Sequence, residues 1–140
     1  MRLGLRLAVL LAVLAIGLSF AVAPARAEDC PAESNQMDDI IAALQKAPSC
    51  DRAMKIFEAC EFGTSGDIQF GAVVEKKCEA DFLSRLTAPQ QKAYKAQLRR
   101  CDAKYRHEDG TMYRSFTAFC RAEVSQRYAR QALKAGPKTR

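Results

Sequence analysis

Apolar residues along this chain recur at intervals of three and four positions rather than two, the period of helices that bury one face. From Ser34, the residues Met37, Ile40, Ile41 and Leu44 fall at i, i+3, i+4 and i+7, which predicts an amphipathic helix closed by Pro48. A second helix begins near Ser49, with Asp51 in its first turn and Ala53, Met54, Phe57 and Cys60 on one side, until Gly63-Thr64-Ser65-Gly66 breaks it. A third is expected from Asp67, a good N-cap residue, to Leu86, because Phe70, Val74, Cys78 and Phe82 repeat every four residues. Thr87 followed by Gln90 is a capping box, with Pro89 in the first turn where a missing N–H costs little. The fourth helix that starts there carries Tyr94, Leu98, Cys101 and Tyr105 and ends in the polar turn His107-Glu108-Asp109-Gly110. Thr111 opens a fifth, whose expected inner face is Met112, Phe116, Phe119, Cys120 and Val124, with Tyr128 at its far end. No stretch alternates long enough to argue for a sheet. The expected fold is all-α, a small disulfide-stapled bundle of about five helices built from antiparallel helical hairpins.

Ahead of these helices, Arg2 and Arg6 precede an unbroken apolar run from Leu7 to Phe20, followed by Ala21-Val22-Ala23-Pro24-Ala25-Arg26-Ala27. A charged start, an apolar centre and an Ala-x-Ala site read as a secretory signal peptide over residues 1–27. The apolar run falls short of the roughly 20 residues a membrane span needs, and no later segment qualifies. Residues 28–135 then form a single helical, cysteine-bridged domain and residues 136–140 a flexible tail, in a protein addressed to the periplasm or secreted. The first residue after the expected cut is Glu28 and not a cysteine, so no lipid anchor is expected there.

All six cysteines, Cys30, Cys50, Cys60, Cys78, Cys101 and Cys120, follow the expected cut, and an exported chain meets an oxidising compartment, so three disulfides are expected. Cys50 and Cys60 lie on one predicted helix, ten residues apart. That is about 15 Å along the axis, whereas bridged Cα atoms sit within about 7 Å. In a helical hairpin, bridged residues are equidistant from the turn. Cys50 and Cys78 centre on residue 64, inside the Gly63–Gly66 turn, and Cys101 and Cys120 centre near Gly110. Cys30 with Cys60 remains, and it fits a hairpin turning at Pro48. The rival pairing joins Cys78 to Cys101, whose midpoint lies near Thr87.

Charge is unevenly spread. The formal net charge of +6 falls to +3 once the signal, with three arginines and no acid, is removed. Residues 28–81 hold 12 acids and 5 bases, whereas residues 82–140 hold 4 acids and 14 bases. Two candidate faces follow: an acidic one of Asp38, Asp39, Glu58, Glu61 and Asp67, and a basic one of Arg99, Arg100, Lys104, Arg106, Arg114, Arg121, Arg127 and Arg130. The first suits a basic protein, the second an anionic polymer of the envelope, although a plain solvated helix surface explains the second as well. Nucleic acid is not an expected partner in that compartment.

Catalytic and metal chemistry find little purchase. There is no C-x-x-C pair, no C-x-x-C-H haem site, and the one histidine, His107, stands in a predicted turn. Neighbouring carboxylates such as Asp38 and Asp39, or Glu79 and Asp81, diverge on a helix and do not make a glycosidase pair. No cofactor, metal site or catalytic residue is expected, and a small hydrolase using His107 ranks behind both binding readings.

Leu86, Gln90-Gln91, Ala93-Tyr94, Arg99 and Cys101 on one helix, with Gly110, Met112, Cys120 and Arg127 on the next, resemble part of the exported bacterial family of lysozyme inhibitors of the LprI type. The resemblance covers Phe82 to Arg130, with Tyr94 where that family usually has tryptophan and Phe82-Leu83-Ser84 where it has a Leu-Asn pair. It implies a small helical, cysteine-bridged, non-enzymatic protein that binds another protein, with lysozyme as the named target. A basic lysozyme would meet the acidic face.

Overall fold

The computed structural model describes residues 29–136; the expected signal peptide, residues 1–27, and all of the expected tail beyond Gly136 lie outside the described residues. Among the described residues the chain forms five α-helices and no strand. They are α1 (Met37–Lys46), α2 (Cys50–Cys60), α3 (Asp67–Glu79), α4 (Ala88–Lys104) and α5 (Thr111–Lys134), with a 3-10 turn at Leu83–Arg85. No helix among the described residues is long and apolar enough to cross a membrane.

Local signals account for most of the helix boundaries. The Ser49 hydroxyl accepts from the Arg52 N–H at 3.2 Å and starts α2. Gln90 Oε1 accepts from the Thr87 N–H at 2.8 Å, closing the capping box of α4. The last carbonyls of α1 are satisfied from outside: Lys77 Nζ donates to the Gln45 and Ala47 oxygens at 2.9 and 2.8 Å.

Two elements differ from their sequence expectation. The third helix ends at Glu79, well short of Leu86, through bonds that tighten to i→i−3 at Asp81 and Phe82. The turn is what lets Phe82 enter the core, fully buried against the rings of Tyr94 and Tyr128 at 5.0 and 5.4 Å, while the chain reverses toward Thr87.

The inner face of α5 is also rotated from the expected one. Met112 and Phe116 are 48% and 41% exposed, and the buried residues are Ser115, Ala118, Ala122, Val124, Ser125 and Ala129; of the expected face Val124 is buried and Phe119, Cys120 and Tyr128 pack against the core. The cause of the rotation is the closeness of α3. A Cβ built on Gly71 would stand 3.0 Å from both the Ala118 Cβ and its carbonyl oxygen, so only small residues fit along this seam. The larger rings of α5 serve its flanks, where Phe119 stacks on Phe57 at 4.0 Å and Tyr128 packs on Tyr94 at 5.0 Å.

Helix α5 is the spine: α2, α3 and α4 pack on it, and α1 lies on α2 and α3. Along α3, Asp67, Gly71, Glu75 and Glu79 meet residues 115, 118, 121 and, through the Tyr94 hydroxyl, 125 in rising order, so α3 and α5 run in the same sense. Three disulfides staple the helices: Cys30–Cys60, Cys50–Cys78 and Cys101–Cys120, with Cα atoms 4.8, 4.6 and 5.6 Å apart. Cys50–Cys78 and Cys101–Cys120 are the pairs whose midpoints fall at turns, and Cys30–Cys60 is the pair that remained. Three such bridges fit a compartment other than the cytoplasm.

Candidate functional site

Asp67 organises one end of the molecule. It is fully buried in the first turn of α3, and its carboxylate accepts from the Phe62 N–H at 2.8 Å, the Thr64 N–H at 3.3 Å and the Ser115 hydroxyl at 2.6 Å. Loop 61–66, α3 and the start of α5 are thereby held together. The expectation that Asp67 caps α3 and presents its charge on an acidic face is corrected: Gly66 occupies the cap position, and no part of Asp67 reaches solvent. Three donors aimed at the carboxylate offset the cost of taking it out of water, and it in turn satisfies them.

The other acidic candidates lie toward the surface. Asp38, Glu58 and Glu61 are exposed, and Asp39 is half-buried and bonded to the Ser34 hydroxyl. The carboxyl of Glu61 is held above its ordinary value by its partial burial, and then by the charges of Asp67 and Glu58. Beside it Phe62 is 40% exposed, its ring edge-on to Phe70 at 5.2 Å. The side chains of Phe62 and Met37 converge over Gly66, bringing the start of α1 to the same corner. The result is an aromatic side chain packed against its neighbours, with the exposed carboxylate of Glu61 next to it in the chain and that of Glu58 close enough to act on Glu61.

Because the Glu61 pKa is higher in the folded chain than in the unfolded one, protonation favours the folded state. Its contribution is complete below the unfolded value near 4.5 and is lost as pH rises through the raised one. Glu61→Gln should therefore raise Tm at neutral pH, with the gain shrinking as pH falls toward 4.5. A gain that persists unchanged at acid pH would mean the charge is not its source.

The basic candidates divide into engaged and free. Arg121 is clamped between α3 and α4: its Nε and Nη2 donate to the two Glu75 oxygens and its Nη1 to both Asp102 oxygens, all at 2.9 Å. Burial lowers its pKa, but bonding to Glu75 and Asp102 outweighs that and leaves it above its ordinary value. Arg130 pairs with Asp51 at 2.7 Å, and Arg127 donates to Gln97 at 3.0 Å. Lys104 lies 4.9 Å from the centre of the Tyr105 ring. Arg99, Arg100, Arg106 and Arg114 are exposed, so the eight do not form one free patch. His107 is exposed in the turn between α4 and α5.

No protein-family model, curated protein or solved structure matches this chain. Its functional reading therefore rests on its own surfaces.

Beside the Arg121 clamp runs a cleft of about 660 Å³ between α3 and α5, floored by Gly71, Ala72 and Ala118 and walled by Glu75, Glu79 and Arg121. Behind it Tyr94 donates to Glu79 at 2.9 Å and its oxygen meets Ser125 at 2.8 Å. Burial holds that phenol well above its ordinary pKa, so it stays a donor. Sequence reasoning missed Glu75, Gly71, Ser115 and Ser125. The serines had a signal, the small-residue stripe on α5, whereas the partnership of Glu75 with Arg121 joins residues 46 positions apart with no local trace.

Proposed function

We propose that this chain is an exported binding protein of the bacterial envelope, periplasmic or secreted, that holds a basic protein partner at the Phe62 corner. The observation that carries the reading is the half-exposed Phe62 ring next to the exposed Glu61, whose carboxyl lies within reach of the charges of exposed Glu58 and buried Asp67. An apolar anchor beside charges of one sign favours a partner of the opposite sign and sets its orientation. The corner is also pre-ordered. The Cys30–Cys60 bridge ends one residue before Glu61, and Asp67 fixes the Phe62 and Thr64 amides, so little chain entropy is lost on docking.

The resemblance to LprI-type lysozyme inhibitors supplies the first partner to try, since lysozyme is a basic protein. Titration of the processed chain into lysozyme, with cell-wall lysis as readout, should show inhibition that weakens with added salt. Glu58→Lys/Glu61→Lys should weaken it by about a hundredfold, and Phe62→Ala by at least about tenfold. Inhibition left intact by the double charge reversal would remove the corner as the site, and absence of any lysozyme binding would remove the lysozyme reading.

A further inference from the structure

The outward side of α4 is rich in cations. The helix carries five cations, Lys92, Lys95, Arg99, Arg100 and Lys104, against a single acid, Asp102. That acid spends both oxygens on Arg121 of α5. Lys92, Lys95 and Arg99 stand at i, i+3 and i+7, the spacing at which like charges on a helix repel. None of the three meets a carboxylate among the described residues. Arg106 extends the row past the helix end. An external anion would relieve this repulsion.

The shape of the face narrows what that anion is. Among the helices α4 packs mainly on α5, leaving one side of a rod about 25 Å long open to solvent. Between the cations its exposed residues are Ala93, Asp102 and Ala103, with Ala88, Pro89 and Gln90 ahead of them, and no exposed large apolar side chain lies on it. Along Lys92, Lys95 and Arg99 the face is thus convex and charged, with no wedge to enter hydrocarbon; the hollow of about 540 Å³ beside it, lined by Arg100, Lys104, Cys120 and Val124, lies between α4 and α5 and takes in none of the three.

We propose that α4 is a docking face for an anionic phospholipid bilayer, laid along the headgroup plane and held there by phosphate without insertion. Lys92, Lys95 and Arg99 form the central row, with Arg100 and Arg106 at its edges. The free acids of the Phe62 corner, Glu58 and Glu61, lie on α2 and the loop after α2, not on α4. Docking through α4 therefore leaves that corner open to a second, basic partner, and the two contacts can be tested apart.

The test is co-sedimentation of the processed chain with vesicles containing about 30 mol% phosphatidylglycerol, at roughly 0.05 M and 0.5 M salt, beside vesicles of phosphatidylcholine alone. Binding is expected only to the anionic vesicles and only at low salt. Lys92→Gln/Lys95→Gln/Arg99→Gln should weaken it about a hundredfold, each cation near a bilayer being worth roughly fivefold. Lys46→Gln/Lys55→Gln/Lys134→Gln removes the same charge from α1, α2 and α5 and should change it by less than about fivefold. Equal losses in the two variants would show that net charge alone is read and would overturn the proposal. So would binding to the neutral vesicles, or no binding to either kind. Soluble polyphosphate that retains the chain through the same three residues while vesicles do not would make the occupant a linear polymer, and the proposal would again fail. Lysozyme inhibition should be the same in the α4 variant as in the unaltered chain, which separates this surface from the Phe62 corner.

Discussion

Asp67→Ala is expected to lower the unfolding free energy by about 3–5 kcal/mol, a large part of what a domain of this size possesses. The loss does not come from packing, since the aspartate side chain is small. It comes from stranding donors: the Phe62 and Thr64 amides and the Ser115 hydroxyl all point at the vanished carboxylate, and Ser115 is only 1% exposed. Hydrogen bonds to a charged acceptor contribute about 1.5–3 kcal/mol each, and a buried donor left without a partner costs a similar amount. Part of the total is recovered where water reaches the loop amides. Asp67→Asn keeps one acceptor oxygen and should lose about half as much. Thermal unfolding checks the magnitude, with a fall in Tm of more than about 10 °C expected for the alanine variant. Amide exchange checks the mechanism, because Phe62 and Thr64 should lose protection first. A variant that melts within a few degrees of the unaltered chain would show that the carboxylate is not what joins the loop to α5.

How much of this was legible beforehand depends on the range of each interaction. The starts of α2 and α4 were readable at Ser49 and Thr87 because a cap joins residues two or three apart. The pairing about the turns was readable because a chain reversing at Gly63–Gly66 or Gly110 leaves few equidistant positions. Phe82 kept the burial its four-residue spacing suggested and yet left the helix, since spacing reports which residues are buried and not whether the backbone stays helical between them.

The face of α5 was misjudged for a related reason. Two stripes are superposed on it, one aromatic and one of small residues, and hydrophobicity alone favours the aromatic one. Only the neighbour decides: with Gly71 opposite Ala118 the seam is too narrow for Met112 or Phe116. Asp67 followed the same logic. As an acid at the start of a helix it read as an exposed cap, and its burial depends on Ser115, 48 residues on. The candidate acidic face kept Asp38, Glu58 and Glu61 at the surface because exposed charge needs no distant partner to explain it.

Cys50→Ala/Cys78→Ala should cost about 4–5 kcal/mol, and more than Cys101→Ala/Cys120→Ala. The closed loop of 28 residues accounts for about 3.5 kcal/mol through the unfolded chain, slightly above the loop of 19. The larger difference arises in the folded state. Cys50 and Cys78 are 4% and 0% exposed, so their removal opens space in the core, whereas Cys120 is partly exposed. The bridge also sits where three helices meet, because Lys77, adjacent to Cys78, holds the final carbonyls of α1. Loosening the α2–α3 contact therefore weakens the hold on α1 as well. Without the bridge, α1 and α2 should open before the rest, while α4 and α5 remain joined through Cys101–Cys120. Denaturant unfolding followed by a probe on α1 and another on α5 would resolve two steps in the Cys50→Ala/Cys78→Ala variant and one in the unaltered chain. A single coincident transition in the variant would place the cooperative unit elsewhere, with α1 and α2 held by the buried Phe57, Phe70 and Ile40 alone.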